Sequence, residues 1–276
     1  MGVTLVTGAG GLLGRYVSGR LDGEVHPFTH AQLDVSDADA VRDAITTVRP
    51  DVVVHCAAIT NVDACEAEPE RCWAVNAEGA GHVATAAAGM GAEIVAVSTD
   101  YVFDGTRGAY TEADEPNPLQ AYGRAKLAGE ERVRAANPRH FIVRSAWVYG
   151  PGGHNFISQF PRLVQELDEL RVVADQWSSP TYAPDLADAI GALRGTERYG
   201  TYHVVNEGGC SYAEFYRYAL EVAGSDKPMI ELVSTDIRRP AARPRNSTLV
   251  GEAWTAAGFP PLRPWREAAR AFVESN

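Results

Sequence analysis

A tyrosine and a lysine four residues apart, Tyr122 and Lys126, are the residues of this sequence best suited to acid–base chemistry. On a helix, this spacing places both side chains on one face, one turn apart. A free phenol has a pKa of about 10, so at neutral pH it gives up its proton reluctantly. A neighbouring ammonium would lower that pKa and make Tyr122 a usable proton donor. Because the chain has only two lysines against 23 arginines, a lysine at this position carries weight.

A glycine-rich segment near the start of the chain predicts a nucleotide site. TGAGGLLG, residues 7–14, directly follows an apolar run and opens a helical pattern. Glycines there let the backbone approach a pyrophosphate, and the free N–H groups of a helix N-terminus attract it. The spacing G-x-G-x-x-G fails at Leu13, but G-x-x-G-x-x-G holds, which is typical of short-chain dehydrogenases. The predicted dinucleotide-binding residues of this motif are Gly8, Gly11 and Gly14.

Small and hydroxyl residues follow two further apolar runs. Ser98 and Thr99 end the run at 94–97, and ligands of an open parallel sheet sit at the carboxyl ends of its strands. A hydroxyl there would bond a reacting oxygen beside Tyr122. Ala57 and Ala58 end the preceding apolar run, and their small side chains would let a dinucleotide pass close to the backbone.

The second apolar run bears on the choice of cofactor. An acid at its end would bind the ribose hydroxyls and favour NAD, but residues 26–30 read HPFTH. Arg15, just after the glycine loop, would reach a 2′-phosphate, so we expect NADPH, with NADH as the alternative. Asp34 is a candidate contact for the adenine end, or equally a neighbour of a helix N-cap.

The first half of the chain alternates short apolar runs with helical patterns, which predicts a parallel sheet with crossover helices. The fold class is therefore α/β, a Rossmann-type doubly wound sheet with a smaller mixed α/β C-terminal substrate domain. We expect the NAD(P)-binding domain over residues 1–150 and a mainly substrate-binding domain over 151–276, some segments of which return to the first. Predicted strands are 3–7, 24–28, 52–56, 93–98, 141–145, 170–173 and 201–205, and predicted helices are 12–21, 38–48, 69–89 and 119–136.

Composition excludes several classes of partner. The net charge of −11 argues against nucleic acid or an anionic membrane surface. The four cysteines have no spacing that predicts disulfides or a metal site, and none is expected. No signal peptide or membrane span is recognisable, so the predicted location is the cytoplasm. Residues 238–245 hold four arginines and two prolines and predict a loop that crosses a surface or a ligand mouth.

Several strings in one order carry a family resemblance that covers nearly the whole chain. They include STDYVF at 98–103, YGRAK at 122–126 and RPRNSTL at 243–249, beside the glycine loop. Together they resemble the dTDP-4-dehydrorhamnose reductases, within the extended short-chain dehydrogenases. The resemblance implies reduction of the 4-keto group of a dTDP-linked 4-keto-6-deoxysugar, with dTDP-4-dehydro-L-rhamnose as the first candidate.

The resemblance also implies roles for individual residues. Tyr122 would protonate the ketone oxygen, Lys126 would hold the nicotinamide ribose, and Thr99 would bond the same oxygen as Tyr122. Asp100 and Trp147 would contact the sugar. The other positions that match cofactor contacts of the family are Gly11, Leu12, Asp34, Val35, Ala57, Ala58 and Ile59.

Two alternatives stay open at this stage. The same acid and hydride would reduce another dTDP-sugar carbonyl, as in deoxysugars of the dihydrostreptose type. The stretch GLLGR at 11–15 also resembles the regulatory subunit of methionine adenosyltransferase, which would make the chain a non-catalytic NADP-binding partner. A homodimer is possible, and the sequence does not assign its interface.

Overall fold

The computed structural model describes residues 2–275 and contains one six-stranded parallel sheet with helices on both faces. From one edge to the other, the strands are Gly200–His203, His140–Ser145, Glu93–Thr99, Val52–His55, Val3–Thr7 and Glu24–Phe28, so the chain starts one strand from an edge, adds that edge strand and then winds toward the other edge. The strands Val52–His55 and Glu93–Thr99 are buried along almost their whole length, as strands covered on both faces must be. The predicted α/β class with a Rossmann-type parallel sheet is confirmed.

The elements run in the following order along the chain. The strands are β1 Val3–Thr7, β2 Glu24–Phe28, β3 Val52–His55, β4 Glu93–Thr99, β5 His140–Ser145, β6 Val148–Tyr149, β7 Leu170–Val173, β8 Trp177–Ser178, β9 Thr181–Tyr182, β10 Gly200–His203, β11 Asn206–Glu207, β12 Cys210–Ser211, β13 Met229–Leu232 and β14 Leu262–Pro264. The α-helices are α1 Leu12–Arg20, α2 Ala38–Val48, α3 Val62–Ala67, α4 Pro69–Trp73, α5 Gly79–Gly89, α6 Ala121–Ala136, α7 Phe160–Glu166, α8 Ala183–Leu193, α9 Tyr212–Val222, α10 Glu252–Ala256 and α11 Trp265–Glu274.

The predicted third helix is wrong in its continuity. Residues 69–89 form α4, a π-helical turn at Ala74–Glu78, and α5. A π turn is rare and is frequent at functional sites. Here it carries Asn76, whose amide accepts from the Ile59 N–H at 2.8 Å and donates to the Ile59 carbonyl at 2.9 Å. The turn therefore holds the loop that follows β3.

The C-terminal half contributes to the main sheet and also builds a second core. Strand β10 pairs with β5, and α8 packs against α1. The other strands of this half form two-stranded ladders, such as β7 with β13 and β8 with β12. Their helices α9 and α11 bury an aromatic cluster that includes Tyr149, Phe215 and Phe272.

The domain boundary at residue 150 stays a prediction. Between residues 2 and 275, no helix has the length and apolarity to cross a membrane.

A buried ion pair fixes α6 on the sheet. The carboxylate of Glu130 accepts from Arg144 on β5, with nitrogen–oxygen distances of 2.9 and 2.7 Å. It also accepts from the Ser98 hydroxyl on β4 at 2.6 Å and from Arg134 at 2.9 Å. Burial alone would raise the pKa of Glu130, but the bonds from Arg144 outweigh it and hold the pKa below its usual range. Glu130 therefore stays ionised and ties α6 to two strands.

We expect Arg144→Met to destabilise the protein strongly, because it leaves the buried Glu130 carboxylate without its bidentate partner. The expected loss of unfolding free energy is about 3–5 kcal/mol, as for other broken buried pairs. Chemical denaturation would measure it. Arg162→Met is the control, since Arg162 pairs with Glu166 at the surface and its loss should cost under about 0.5 kcal/mol. Equal small losses in both variants would contradict the assigned role of the pair.

Candidate active site

A cavity of about 390 Å³ opens at the carboxyl ends of β1, β3, β4 and β5. This is where ligands bind in open parallel sheets. Ten of the predicted site residues line it, from the glycine loop, from the strand ends and from α6. They are Gly8, Gly11, Leu12, Gly14, Ala58, Thr99, Asp100, Tyr122, Lys126 and Trp147.

The glycine loop is tight at two of its four glycines. Gly8 has a φ of +69°, and a Cβ there would lie 2.6 Å from the Ala57 nitrogen. A Cβ on Gly14 would lie 2.2 Å from the Gly8 carbonyl oxygen. The N-terminus of α1 begins after Gly11 and has no side-chain cap. The loop thus presents backbone to the cavity and leaves helix N–H groups available to an anion.

Tyr122 and Lys126 lie side by side on the inner face of α6, and both are buried. Lys126 Nζ donates to the Val97 carbonyl at 2.7 Å. Burial raises the pKa of Tyr122, and the nearby Thr99 hydroxyl offsets only part of this rise. Burial also lowers the pKa of Lys126. The expectation that Lys126 lowers the pKa of Tyr122 is therefore wrong for the protein alone, because desolvation of the phenol dominates. Tyr122 holds its proton at neutral pH.

Thr99 and Asp100 stand at the end of β4, where the strand turns into a short 3₁₀ segment at Asp100–Val102. The Thr99 hydroxyl donates to Asp100 Oδ1 at 3.1 Å and accepts from the Tyr101 N–H at 3.2 Å. Burial raises the pKa of Asp100 to about 6. Asp100 lines the cavity, and its contact with a sugar stays a prediction.

Aromatic rings from the C-terminal half close one side of the cavity. Trp147 stacks on Tyr212 with ring centroids 3.6 Å apart, and Phe156 stands edge-on to Tyr212 at 5.9 Å. Trp147 has a φ of +40°, a strained conformation for a residue with a large side chain. The stacking on Tyr212 holds the indole at the cavity wall against this strain.

Five predicted cofactor contacts do not line the cavity. Ala57 packs against the loop at Gly8, and the backbone of Ile59 is bound by Asn76. Asp34 is exposed, and its carboxylate accepts from the N–H and hydroxyl of Ser36 at 3.0 and 2.7 Å. Their contacts with a cofactor stay predictions.

The other two of these five are Arg15 and Val35. Val35 is buried, and a Cβ on Gly79 would lie 2.8 Å from its side chain. Arg15 Nη2 donates to the Gly152 carbonyl at 2.8 Å. In this arrangement the guanidinium links the glycine loop to the C-terminal half, and its predicted contact with a 2′-phosphate stays untested.

Sequence reasoning did not assign several residues of the site. Ser145 lies opposite Thr99 in the β4–β5 register, and its hydroxyl has no hydrogen-bond partner within the described residues although it is buried. Its position at a strand end is the signal that would have found it. Tyr212 and Ile157 offer no such signal, because they reach the cavity only through the packing of the C-terminal half. Glu66 accepts from the Ala121 N–H at 2.8 Å and so supports the start of α6.

The comparison with known families settles what kind of chain this is. Residues 2–276 match the model of the family described as RmlD substrate binding domain. The chain belongs to this family. The resemblance found in the sequence is confirmed.

No group of histidine, cysteine and acidic side chains within residues 2–275 could hold a metal ion.

Relatives of this RmlD-type chain match it along almost its entire length. A dTDP-4-dehydrorhamnose reductase from Streptomyces griseus is 42% identical, over 96% of this chain and 90% of the relative. A dTDP-4-keto-6-deoxy-D-glucose reductase from Streptomyces niveus is 38% identical, over 96% of this chain and 94% of the relative. The crystal structure of a dTDP-4-dehydrorhamnose reductase from Bacillus anthracis in complex with NADP has a TM-score of 0.97 at 37% identity, and covers 100% of this chain and 99% of its own.

A methyl group at Gly14 should displace the backbone of the glycine loop. The added Cβ meets the Gly8 carbonyl oxygen at 2.2 Å, so backbone must move. We expect Gly14→Ala to weaken NADPH binding by about tenfold or more, the effect of losing roughly one good contact to the phosphates. Fluorescence titration would measure the dissociation constant. Gly19→Ala on the same helix is the control, because nothing lies within 4 Å of its Cβ position. Equal affinities of the two variants would contradict the role of the loop.

The buried Asp100 predicts a specific pH dependence of stability. Its pKa is about 6 in the folded protein, against about 3.9 in an unfolded chain. Between these values the folded state holds a proton that the unfolded state has lost. Stability therefore falls as the pH rises through this window, by about 3 kcal/mol.

Asp100→Asn lacks this titration, so its unfolding free energy should not show that fall. Urea denaturation of both proteins between pH 4 and 7 would measure the difference, since the other titrating groups contribute to both alike. A difference between wild type and Asp100→Asn that is constant with pH would contradict the raised pKa.

Proposed function

We propose that this chain is an NADPH-dependent reductase of the 4-keto group of a dTDP-linked 4-keto-6-deoxysugar. The first candidate reaction converts dTDP-4-dehydro-L-rhamnose to dTDP-L-rhamnose. The observation that carries the proposal is that one cavity contains the glycine loop, Tyr122, Lys126 and Thr99. The named activities of the Streptomyces griseus and Bacillus anthracis relatives support it.

The residues present fit a dinucleotide. Gly8 and Gly14 form a cradle that any side chain would fill, and the uncapped N-terminus of α1 suits a pyrophosphate. When bound, NADPH supplies the hydride, and the protein orients the reactants and provides the proton. The NADP in the Bacillus anthracis structure favours the phosphorylated cofactor. Asp34 would contact its adenine end, and Val35, Ala57 and Ile59 would be further cofactor contacts.

Tyr122 is the proton donor of the proposed reaction. A phenol whose pKa is raised by burial remains protonated at neutral pH, which is the form a reduction consumes. Thr99 bonds the same ketone oxygen and keeps it next to the phenol. Lys126, anchored on the Val97 carbonyl, stands one helical turn away and holds the nicotinamide ribose. The stacked rings of Trp147 and Tyr212 form an aromatic wall on one side of the cavity.

Another dTDP-sugar carbonyl is the second candidate substrate. The Streptomyces niveus relative is named for a D-glucose-derived 4-keto sugar and is almost as similar in sequence as the Streptomyces griseus relative. The same donors would serve both sugars, so the substrate must be tested directly. We propose the cytoplasm as the setting of the reaction, and the homodimer stays a prediction.

The deciding experiment is to incubate the protein with NADPH and dTDP-4-dehydro-L-rhamnose and to identify the sugar product by NMR. We expect dTDP-L-rhamnose and a matching loss of NADPH. The same assay with NADH tests cofactor preference, and with dTDP-4-keto-6-deoxy-D-glucose it tests the second candidate. NADPH binding without turnover of either sugar would favour the non-catalytic, regulatory-subunit alternative.

Tyr122→Phe should keep the ring and remove the proton. We expect kcat to fall by about a hundredfold or more, the range typical of general acid catalysis. NADPH affinity should stay nearly intact. Tyr202→Phe is the control, because the Tyr202 hydroxyl is a donor to the Arg198 carbonyl, at the edge strand β10. Near-native turnover by Tyr122→Phe would overturn the assigned donor.

A further inference from the structure

Two buried serines of the C-terminal half meet the carboxylate that binds Thr99. We propose that Ser178 and Ser247 are positioning residues, which orient Thr99 through Asp100. The inference rests on the proposed function, because it assigns Thr99 to the ketone oxygen. It adds to that function a link between the C-terminal half and the reacting atoms.

Three side-chain hydroxyls donate hydrogen bonds to the Asp100 carboxylate. Its Oδ2 accepts from the Ser178 hydroxyl at 2.9 Å and from the Ser247 hydroxyl at 2.5 Å. The two serine oxygens are 3.3 Å apart. Its Oδ1 accepts from Thr99 Oγ1 at 3.1 Å. All four side chains are buried, so water does not compete for these bonds.

The two serines reach Asp100 because their segments pair with each other. The Trp177 N–H donates to the Arg245 carbonyl, and the Ser247 N–H donates to the Trp177 carbonyl, each at 2.9 Å. The string RPRNSTL at 243–249, which carries part of the family resemblance, thus lies along β8. Ser247 of this string and Ser178 of β8 both donate to Oδ2 of Asp100. The Asp100 carboxylate is therefore held by neutral hydroxyl donors.

The consequence for Thr99 is a side chain whose Oγ1 atom is held in one place. This oxygen donates to Asp100 and accepts from the Tyr101 N–H, and its hydrogen is free to turn from Asp100 to a bound ketone oxygen. Loss of a serine would let the carboxylate shift, and the Thr99 oxygen with it. The titratable groups that face Asp100 are Tyr101 beside it, Tyr122 on α6 and Tyr212 on α9. Arg239 and Arg243 act on Tyr101 and Tyr212 from the loop at 238–245.

Single substitutions with a matched control test the proposal. We expect Ser178→Ala and Ser247→Ala each to lower kcat by about tenfold, the effect of one lost bond to a charged group, with little change in NADPH affinity. Ser179→Ala is the control, since Ser179 is equally buried but its hydroxyl bonds the backbone of Leu249, at 3.1 and 3.3 Å, rather than Asp100. We expect its kcat to stay within about twofold of wild type. Equal losses in all three variants would overturn the proposal.

A double-mutant cycle separates positioning from general damage. Thr99→Val removes the hydroxyl on which the serines are proposed to act, with little change in shape. In that background, Ser247→Ala should lower the remaining kcat by less than about twofold. A further tenfold loss there would show that Ser247 acts by another route and would overturn the proposal.

A readout without turnover keeps this inference distinct from the proposed function. The bonds from Ser247 and Ser178 lower the pKa of Asp100, so their loss should raise it beyond about 6. The pH window in which stability falls should then extend upward in Ser178→Ala and Ser247→Ala, and not in Ser179→Ala. An unchanged window would overturn the serine contacts. If wild type shows no turnover, the proposed function fails, and this measurement still decides whether the serines hold Asp100.

Discussion

The position of the reacting groups depends on one buried carboxylate, that of Glu130. Tyr122, Lys126 and Glu130 recur every four residues, so they share the face of α6 that meets the sheet. Glu130 is bonded to Ser98 on β4 and to Arg144 on β5, and this fixes the helix along its axis as well as against the strands. Thr99 is the residue after Ser98. The bonds of Glu130 therefore hold the helix that carries the donor against the strand that ends at Thr99.

Local patterns were enough to predict the framework of the sheet. The five predicted strands became β1 to β5 with bounds that agree within one residue. Four of them are buried parallel strands, which need continuous apolar sequence, and β2 is the partly exposed edge strand. The glycine loop was also predictable, since only glycine fits where a Cβ would meet backbone, as at Gly8 and Gly14. The spacing of Tyr122 and Lys126 correctly placed both on one helix face in the cavity.

Other features depend on contacts between distant parts of the chain, and no local pattern carries them. The pKa of Tyr122 follows from how deeply the phenol is buried, which the sequence neighbours do not determine. The wall built by Trp147 and Tyr212 exists only after two segments of the C-terminal half pack together. The guanidinium of Arg15 donates to the carbonyl of Gly152, which lies 137 residues further along the chain. Each of these depends on tertiary structure.

The π turn at Ala74–Glu78 has a consequence for how the chain tolerates change in length. A π turn holds one more residue than an α turn, so deletion of a single residue there would close it into a regular helix. The deletion would rotate the preceding helix by about 100° relative to α5. The side chain of Asn76 would then lose its two hydrogen bonds with the backbone of Ile59. The extra residue inside this helical stretch is therefore what allows Asn76 to support the loop that follows β3.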